Sequence, residues 1–201
     1  MCETRPLEPG SRPWCNCGVL LRALLAAFSA MLALTASSSA GTLDSWAKLR
    51  RPLHIPHLAA GARCPVTHAR SISPDFGPAQ GPGPIYNIGG LVEFIYPVKP
   101  GQGWYPSAWG GQKVLWVGSR AYKGPVLIRG RQLDGAHEVR FGGAHVPALE
   151  LHLTRSGAAT QTWKGRQWPS YTRLRAPGCY AWQVDGTTFS TVIVFKAVLA
   201  S

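Results

Sequence analysis

The sequence predicts an all-β fold: an antiparallel β-sandwich of immunoglobulin-like type, preceded by a signal or anchor helix and a Pro/Gly-rich loop. Three observations carry this expectation. From residue 91 onward, short runs rich in β-branched and aromatic residues alternate with Gly, Pro and Asp, and no helical period is sustained. The chain holds 23 Gly and 17 Pro among 201 residues, so breakers recur too often for long helices. Cys64 and Cys179 stand near opposite ends of the β-rich stretch, which suits a bridge across a sandwich. A barrel is the alternative closure. Charged residues make up only 15%, too few for a disordered or coiled-coil chain. The glycines have no three-residue period, which excludes collagen, and a single long apolar run excludes a multi-pass membrane protein.

That run, residues 19–36 (VLLRALLAAFSAMLALTA), is interrupted by Arg22 and is short for a bilayer span. With Arg5 and Arg12 ahead of it and Ser38 and Ala40 at the −3 and −1 positions before Gly41, it reads as a signal peptide over residues 1–40. An uncleaved membrane anchor is the alternative. The expected address is secreted or extracytoplasmic, at the cell envelope. Residues 41–63 read as a linker with a short helix near 43–51, stopped by Pro52 and Pro56. Residues 64–201 read as the sandwich domain.

Within that domain, residues 64–90, with GPAQGPGP at their centre, predict a turn-rich loop. Residues 91–98 (LVEFIYPV) predict the first clear strand. Residues 113–118 (KVLWVG) are apolar on both faces and predict a central strand. Residues 125–133 (PVLIRGRQL) predict a third, turned by Asp134-Gly135 into a short partner at 138–141. In residues 148–154 (ALELHLT), Leu149, Leu151 and Leu153 alternate inward while Glu150 and His152 face out. Residues 171–176 (YTRLRA) predict a sixth strand with Arg173 and Arg175 on one face. Residues 179–184 and 188–198, joined by Asp185-Gly186, predict a closing hairpin with Tyr180, Trp182 and Val184 on one face.

The stretch APGCYAWQVDGTTFSTVIVFKA resembles the C-terminal hairpin of uncharacterised exported bacterial proteins with an Ig-like β-sandwich domain. The upstream pieces CPV (64–66), KVLWV (113–117) and GPVLIRGRQLDG (124–135) are similar to the rest of that domain. The resemblance covers roughly residues 64–198. It implies the fold and no activity, and it carries over no catalytic residue.

Only Cys64 and Cys179 follow the proposed cleavage site. An even pair in an oxidising compartment predicts a disulfide, closing a loop of about 115 residues and stabilising by ~4–5 kcal/mol on the chain-entropy model. A catalytic thiol is the other reading, but APGCYAW supplies no base.

Lys plus Arg is 21 against 9 Asp plus Glu, a formal charge of +12. For an exported protein, this excess suits anionic lipids, an acidic polysaccharide or a cell-wall polymer rather than nucleic acid, and an envelope protein is a further expected partner. The membrane is expected to be contacted only through the N-terminal segment, if uncleaved. Excess charge that simply keeps the protein soluble is the plain alternative. Loop aromatics can stack on sugar rings or anchor a partner. The candidate ligand-binding residues are therefore Trp104, Tyr105, Trp109, Trp163 and Trp168, with the cations Lys164 and Arg166, and Arg173 and Arg175 nearby. One or two of these rings folding back over the sandwich edge is the structural alternative. His145, Glu150 and His152 are the candidate metal ligands, since Glu150 and His152 share a strand face; a solvated strand face explains them equally.

No G-x-S-x-G elbow, phosphate loop or paired carboxylates occur, so neither a catalytic residue nor a cofactor is assigned. The expected function is a non-catalytic binding or structural module at the cell envelope. The alternatives are a metal-dependent or divergent hydrolase built on His145, Glu150 and His152, and a protein–protein assembly module using a strand edge.

Overall fold

The computed structural model describes residues 46–59, 61–156 and 165–201. The leader predicted over 1–40, and Trp163 and Lys164, lie outside the described residues. Among the described residues no helix is long and apolar enough to cross a membrane.

The protein is all-β and mostly antiparallel. Its strands are β1 (Ala69–Arg70), β2 (Ala79–Gln80), β3 (Ile85–Ile88), β4 (Leu91–Phe94), β5 (Gly110–Gly118), β6 (Val126–Gln132), β7 (Glu138–Phe141), β8 (Leu151–Leu153), β9 (Arg166–Leu174), β10 (Gly178–Gly186) and β11 (Ser190–Leu199). They form one sheet in the order β1-β2-β3-β5-β9-β7-β6-β10-β11-β4, with β8 beside β6. Among the described strands, only β4 and β11 pair in parallel. The short β7 joins two limbs. Its first half pairs with β6 (Gly130↔Val139, Arg131↔Glu138) and its second half with β9 (Arg140↔Arg173, Phe141↔Thr172).

Period-2 alternation directs one face of each limb into a shared core. Trp116 of β5, Trp182 of β10 and Phe195 of β11 are fully buried there. Trp116 meets Trp182 edge-on with ring centroids 5.3 Å apart, and Trp182 stacks on Phe195 at 3.7 Å. The expected central strand at 113–118 is part of β5, which lies between β3 and β9.

Four strand expectations need correction. Residues 64–90 are not only loop, because they supply β1, β2 and β3. Proline and glycine masked β3, where the inward residues are Ile85 and the polar Asn87. The strand expected at 171–176 begins five residues earlier, so Arg166 and Trp168 stand in β9 rather than in a loop. The last hairpin turns beyond Asp185-Gly186: Asp185 pairs with Ser190 and the Gly186 N–H donates to the Phe189 carbonyl. Leu153 is buried as expected, but Leu149 lies before β8 and is exposed.

Residues 46–63 are not a linker. The compact unit begins at Trp46. One helical turn at Trp46, closed by the Leu49 N–H to its carbonyl, is what the structure describes of the helix expected at 43–51. The chain then runs as a strap over the outer face of β6, β10 and β11. Trp46 and Leu49 pack on Leu127, and Ile55 packs with Leu133, Ala181 and Val194. Rungs bind it in register. The His54 N–H donates to Gln183 Oε1, Gln183 Nε2 donates to the Pro52 carbonyl, and the Leu58 N–H donates to the Leu133 carbonyl. Farther on, the Cys64–Cys179 disulfide joins strap to β10, with Cα atoms 5.4 Å apart. The Thr67 N–H then donates to the Val194 carbonyl. Thus Ala181, Gln183 and Asp185, on the β10 face opposite the core, are fully buried.

Beneath the strap, the Asp185 carboxylate accepts hydrogen bonds from Arg129 (2.8 Å), Gln183 (3.0 Å) and Ser190 (2.6 Å), with Arg51 at 3.4 Å. Arg129 also donates to the Arg51 carbonyl, so β6, β10 and the strap meet at one buried anion.

A candidate anion-binding groove

Arg173 holds together the two loops that wall a surface groove. It is fully buried in β9, between the loop that enters β5 and the loop that follows β7. Its Nε donates to the Gly110 carbonyl at 3.2 Å, Nη1 to the Gly142 and Ala144 carbonyls (both 3.1 Å), and Nη2 to Ser107 Oγ at 3.0 Å and the Trp109 carbonyl at 2.7 Å. A guanidinium has five N–H donors, and all five are engaged. Its Cζ also lies 3.8 Å from the Trp104 ring centroid. Burial lowers the pKa of Arg173 from its ordinary value, yet an arginine stays protonated. The paired glycines have a local reason here. A Cβ on Gly111 would meet the Arg173 side chain and the Thr172 carbonyl, and Gly142 has φ +91°.

The two loops so held face each other across a groove of about 460 Å³, lined by Trp109, Glu138, Arg140, His145, Val146 and Arg175 among others. Ser107 Oγ ties them a second time by donating to the His145 carbonyl at 2.6 Å. Trp109 is only 6% exposed. Two guanidiniums lie near its ring, with Arg175 Cζ at 4.2 Å and Arg140 Cζ at 5.0 Å from the centroid. Arg140 is held by Glu138 at 2.7 Å and by the Pro147 carbonyl. Arg175 is exposed, and among the described residues it has no carboxylate partner. Val146, 77% exposed, makes an apolar lip.

This arrangement differs from a sugar-stacking platform. Trp104 and Trp109 support guanidiniums, and Tyr105 is half exposed. Arg166 and Trp168 are each 8% exposed and face inward. Arg166 donates to the Tyr122 and Gly124 carbonyls, its Cζ lies 4.8 Å from the Trp168 ring, and Trp168 Nε1 donates to the Thr154 carbonyl. Burial lowers the Arg166 pKa. These two side chains brace β9 from within, and the guanidinium of Arg173 is likewise buried.

His145, Glu150 and His152 are not gathered into a ligand set. Among the described residues, no three His, Cys, Asp or Glu side chains are placed to hold a metal. His145 belongs to the groove. Glu150 accepts from Arg50 at both oxygens (2.8 and 3.0 Å) and pairs with His152 at 3.0 Å. The Arg50 hydrogen bond pulls its pKa below the ordinary value. His152 stacks on Trp46 with centroids 4.1 Å apart.

Two groups escaped the sequence reading. Arg140 enters the groove through the β7–β9 pairing opposite Arg173, a contact between distant segments. Asp185 read as a turn residue because Gly186 follows it, although Ser190 five residues later is its shortest partner. Comparison with known protein families, with curated proteins and with solved structures finds no match to this chain.

Proposed function

We infer that the chain is an exported, non-catalytic binding module of the cell envelope, its two limbs forming an immunoglobulin-like sandwich. The ligand is an acidic polysaccharide or cell-wall polymer whose anionic groups bind in the Trp109–Arg140–Arg175 groove. The leader pattern at 1–40 and the Cys64–Cys179 disulfide support export. The observation that carries the ligand class is Arg175. Its guanidinium is backed by Trp109 at 4.2 Å, is open to solvent, and stands beside a carboxylate, Glu138, that Arg140 already holds. A guanidinium fixed against a ring keeps its planar N–H edge available for two parallel hydrogen bonds to a carboxylate or phosphate.

The test is co-sedimentation of the full chain with an acidic wall polymer and with a neutral glucan, across a salt series. Expected is pelleting with the acidic polymer alone, weakened about tenfold by Arg175→Gln, as fits the loss of one charge-assisted contact. Equal binding of both polymers, or an unchanged affinity in Arg175→Gln with the fold intact, overturns the assignment.

A further inference from the structure

A second groove, of about 570 Å³, lies at the disulfide and is lined by Arg63, Cys64, Pro65, Val66 and Lys196. The two sulfurs have different surroundings. Cys179 is 2% exposed, while Cys64 is half-buried and forms part of the groove wall. Two cations bracket the bond. Arg63 precedes Cys64 in the chain, and Lys196 is the direct partner of Cys179 in the β10–β11 ladder, on the same face. Among the described residues, no carboxylate lines this groove. The Asp134 oxygens accept the Cys179 N–H at 3.0 and 3.1 Å.

Thiol–disulfide exchange needs a thiolate to approach along the S–S axis from the side of the sulfur it attacks, so access selects the sulfur. We propose that Cys64 is a site of S-thiolation by small anionic thiols. The incoming thiolate, drawn by Arg63 and Lys196, bonds to Cys64 Sγ. The S–S electron pair leaves with Cys179 Sγ as a thiolate on the Lys196 side of the ladder; that thiolate then takes a proton from water, leaving hydroxide. The product is a mixed disulfide on Cys64 and a free thiol on Cys179. A second thiol molecule attacking the mixed disulfide completes a two-electron reduction of the protein and oxidises the thiol to its own disulfide. The groove also fixes the order in which an external disulfide would rebuild the bridge: Cys64 is thiolated first, and Cys179 then displaces the bound thiol.

The test compares full-length Cys179→Ser and Cys64→Ser variants. Each is treated with a dianionic aromatic disulfide and with a neutral dipyridyl disulfide. Peptide mass spectrometry follows each cysteine separately, which keeps Cys2, Cys15 and Cys17 out of the count. Cys64 is expected to react on the order of tenfold or more faster than Cys179. Its preference for the dianionic reagent should fall several-fold from low to high salt and in Arg63→Gln/Lys196→Gln. If these two variants unfold, the intact protein supplies the second measurement. Glutathione should reduce the wild-type bridge with a steeper salt dependence than uncharged mercaptoethanol. Equal reactivity of the two cysteines in folded variants, or identical salt dependence for charged and neutral thiols, overturns the proposal.

Discussion

Replacing Arg173 by Met keeps a long, unbranched side chain but deletes the guanidinium that holds the groove loops. Four carbonyls and one hydroxyl then lose a donor, and Trp104 loses the cation 3.8 Å from its ring. Hydrogen bonds to a charged group contribute about 1.5–3 kcal/mol each, so five would sum to well over 7 kcal/mol at face value. Two effects reduce that figure. The buried guanidinium was itself stripped of water, at a penalty of several kcal/mol, and the loops can open so that the freed acceptors meet solvent. A net loss of about 3–5 kcal/mol remains, roughly 6–20 °C in Tm for a unit of this size. Arg173→Lys should recover only part, because an ammonium has three donors on one atom and cannot span acceptors on two loops. Denaturant unfolding gives the free energy, and hydrogen exchange at residues 107–111 and 142–144 reports whether both loops loosen together. A variant within about 1 kcal/mol of wild type, with unchanged exchange at both loops, would refute the claim that one arginine positions the groove.

Three further outcomes test the strap and the outer sheet face. Leu127→Ala should cost about 2–5 kcal/mol because Trp46 and Leu49 bury this residue; a near-zero cost in denaturant melts would mean the strap does not dock. Asp185→Asn should cost about 2–4 kcal/mol, since Arg129 and Arg51 lose their shared anion and Arg51 is partly solvated; a cost below about 0.5 kcal/mol would remove the cluster's role. Glu150 has a folded-state pKa below its unfolded value, so its stabilisation is fully present above the unfolded pKa and disappears as pH falls through the folded one. Glu150→Gln should therefore be less stable than wild type at neutral pH, with the gap closing in acid; a gap that is constant with pH contradicts the Arg50 pairing.

Local pattern explains what the sequence made legible. β5, β6, β10 and β11 follow from apolar runs bounded by turn residues, and the disulfide follows from there being two cysteines after residue 40. Misread regions share a different physics. In β3, Asn87 occupies an inward position that alternation would give to an apolar residue. At the start of β9, Arg166 and Trp168 resemble a ligand surface in composition, yet carbonyls supplied by residues 122, 124 and 154 bury them. The strap was opaque for the same reason. Its apolar residues Trp46, Leu49 and Ile55 have no period, because each is matched to a site on strands more than 70 residues away. The groove was half legible: Trp109 and Arg175 stand out in the sequence, whereas Arg140 and the loop-holding role of Arg173 require the β7–β9 pairing.

The strap also imposes a timetable on the chain as it is made. Residues 46–67 emerge from the ribosome first among the described segments, but their seat on β10 and β11 is translated last. Arg51 waits for Asp185, 134 residues later, and Cys64 waits for Cys179, 115 residues later. Until then Ile55 lacks Ala181 and Val194, and only Leu127 and Leu133 of the final seat are present for the strap's apolar residues. Such long-range closure slows folding and couples it to completion of the chain. A truncated product lacking the last two strands would leave the strap undocked and Cys64 without its partner, so an incomplete chain would carry an accessible thiol that the finished one does not.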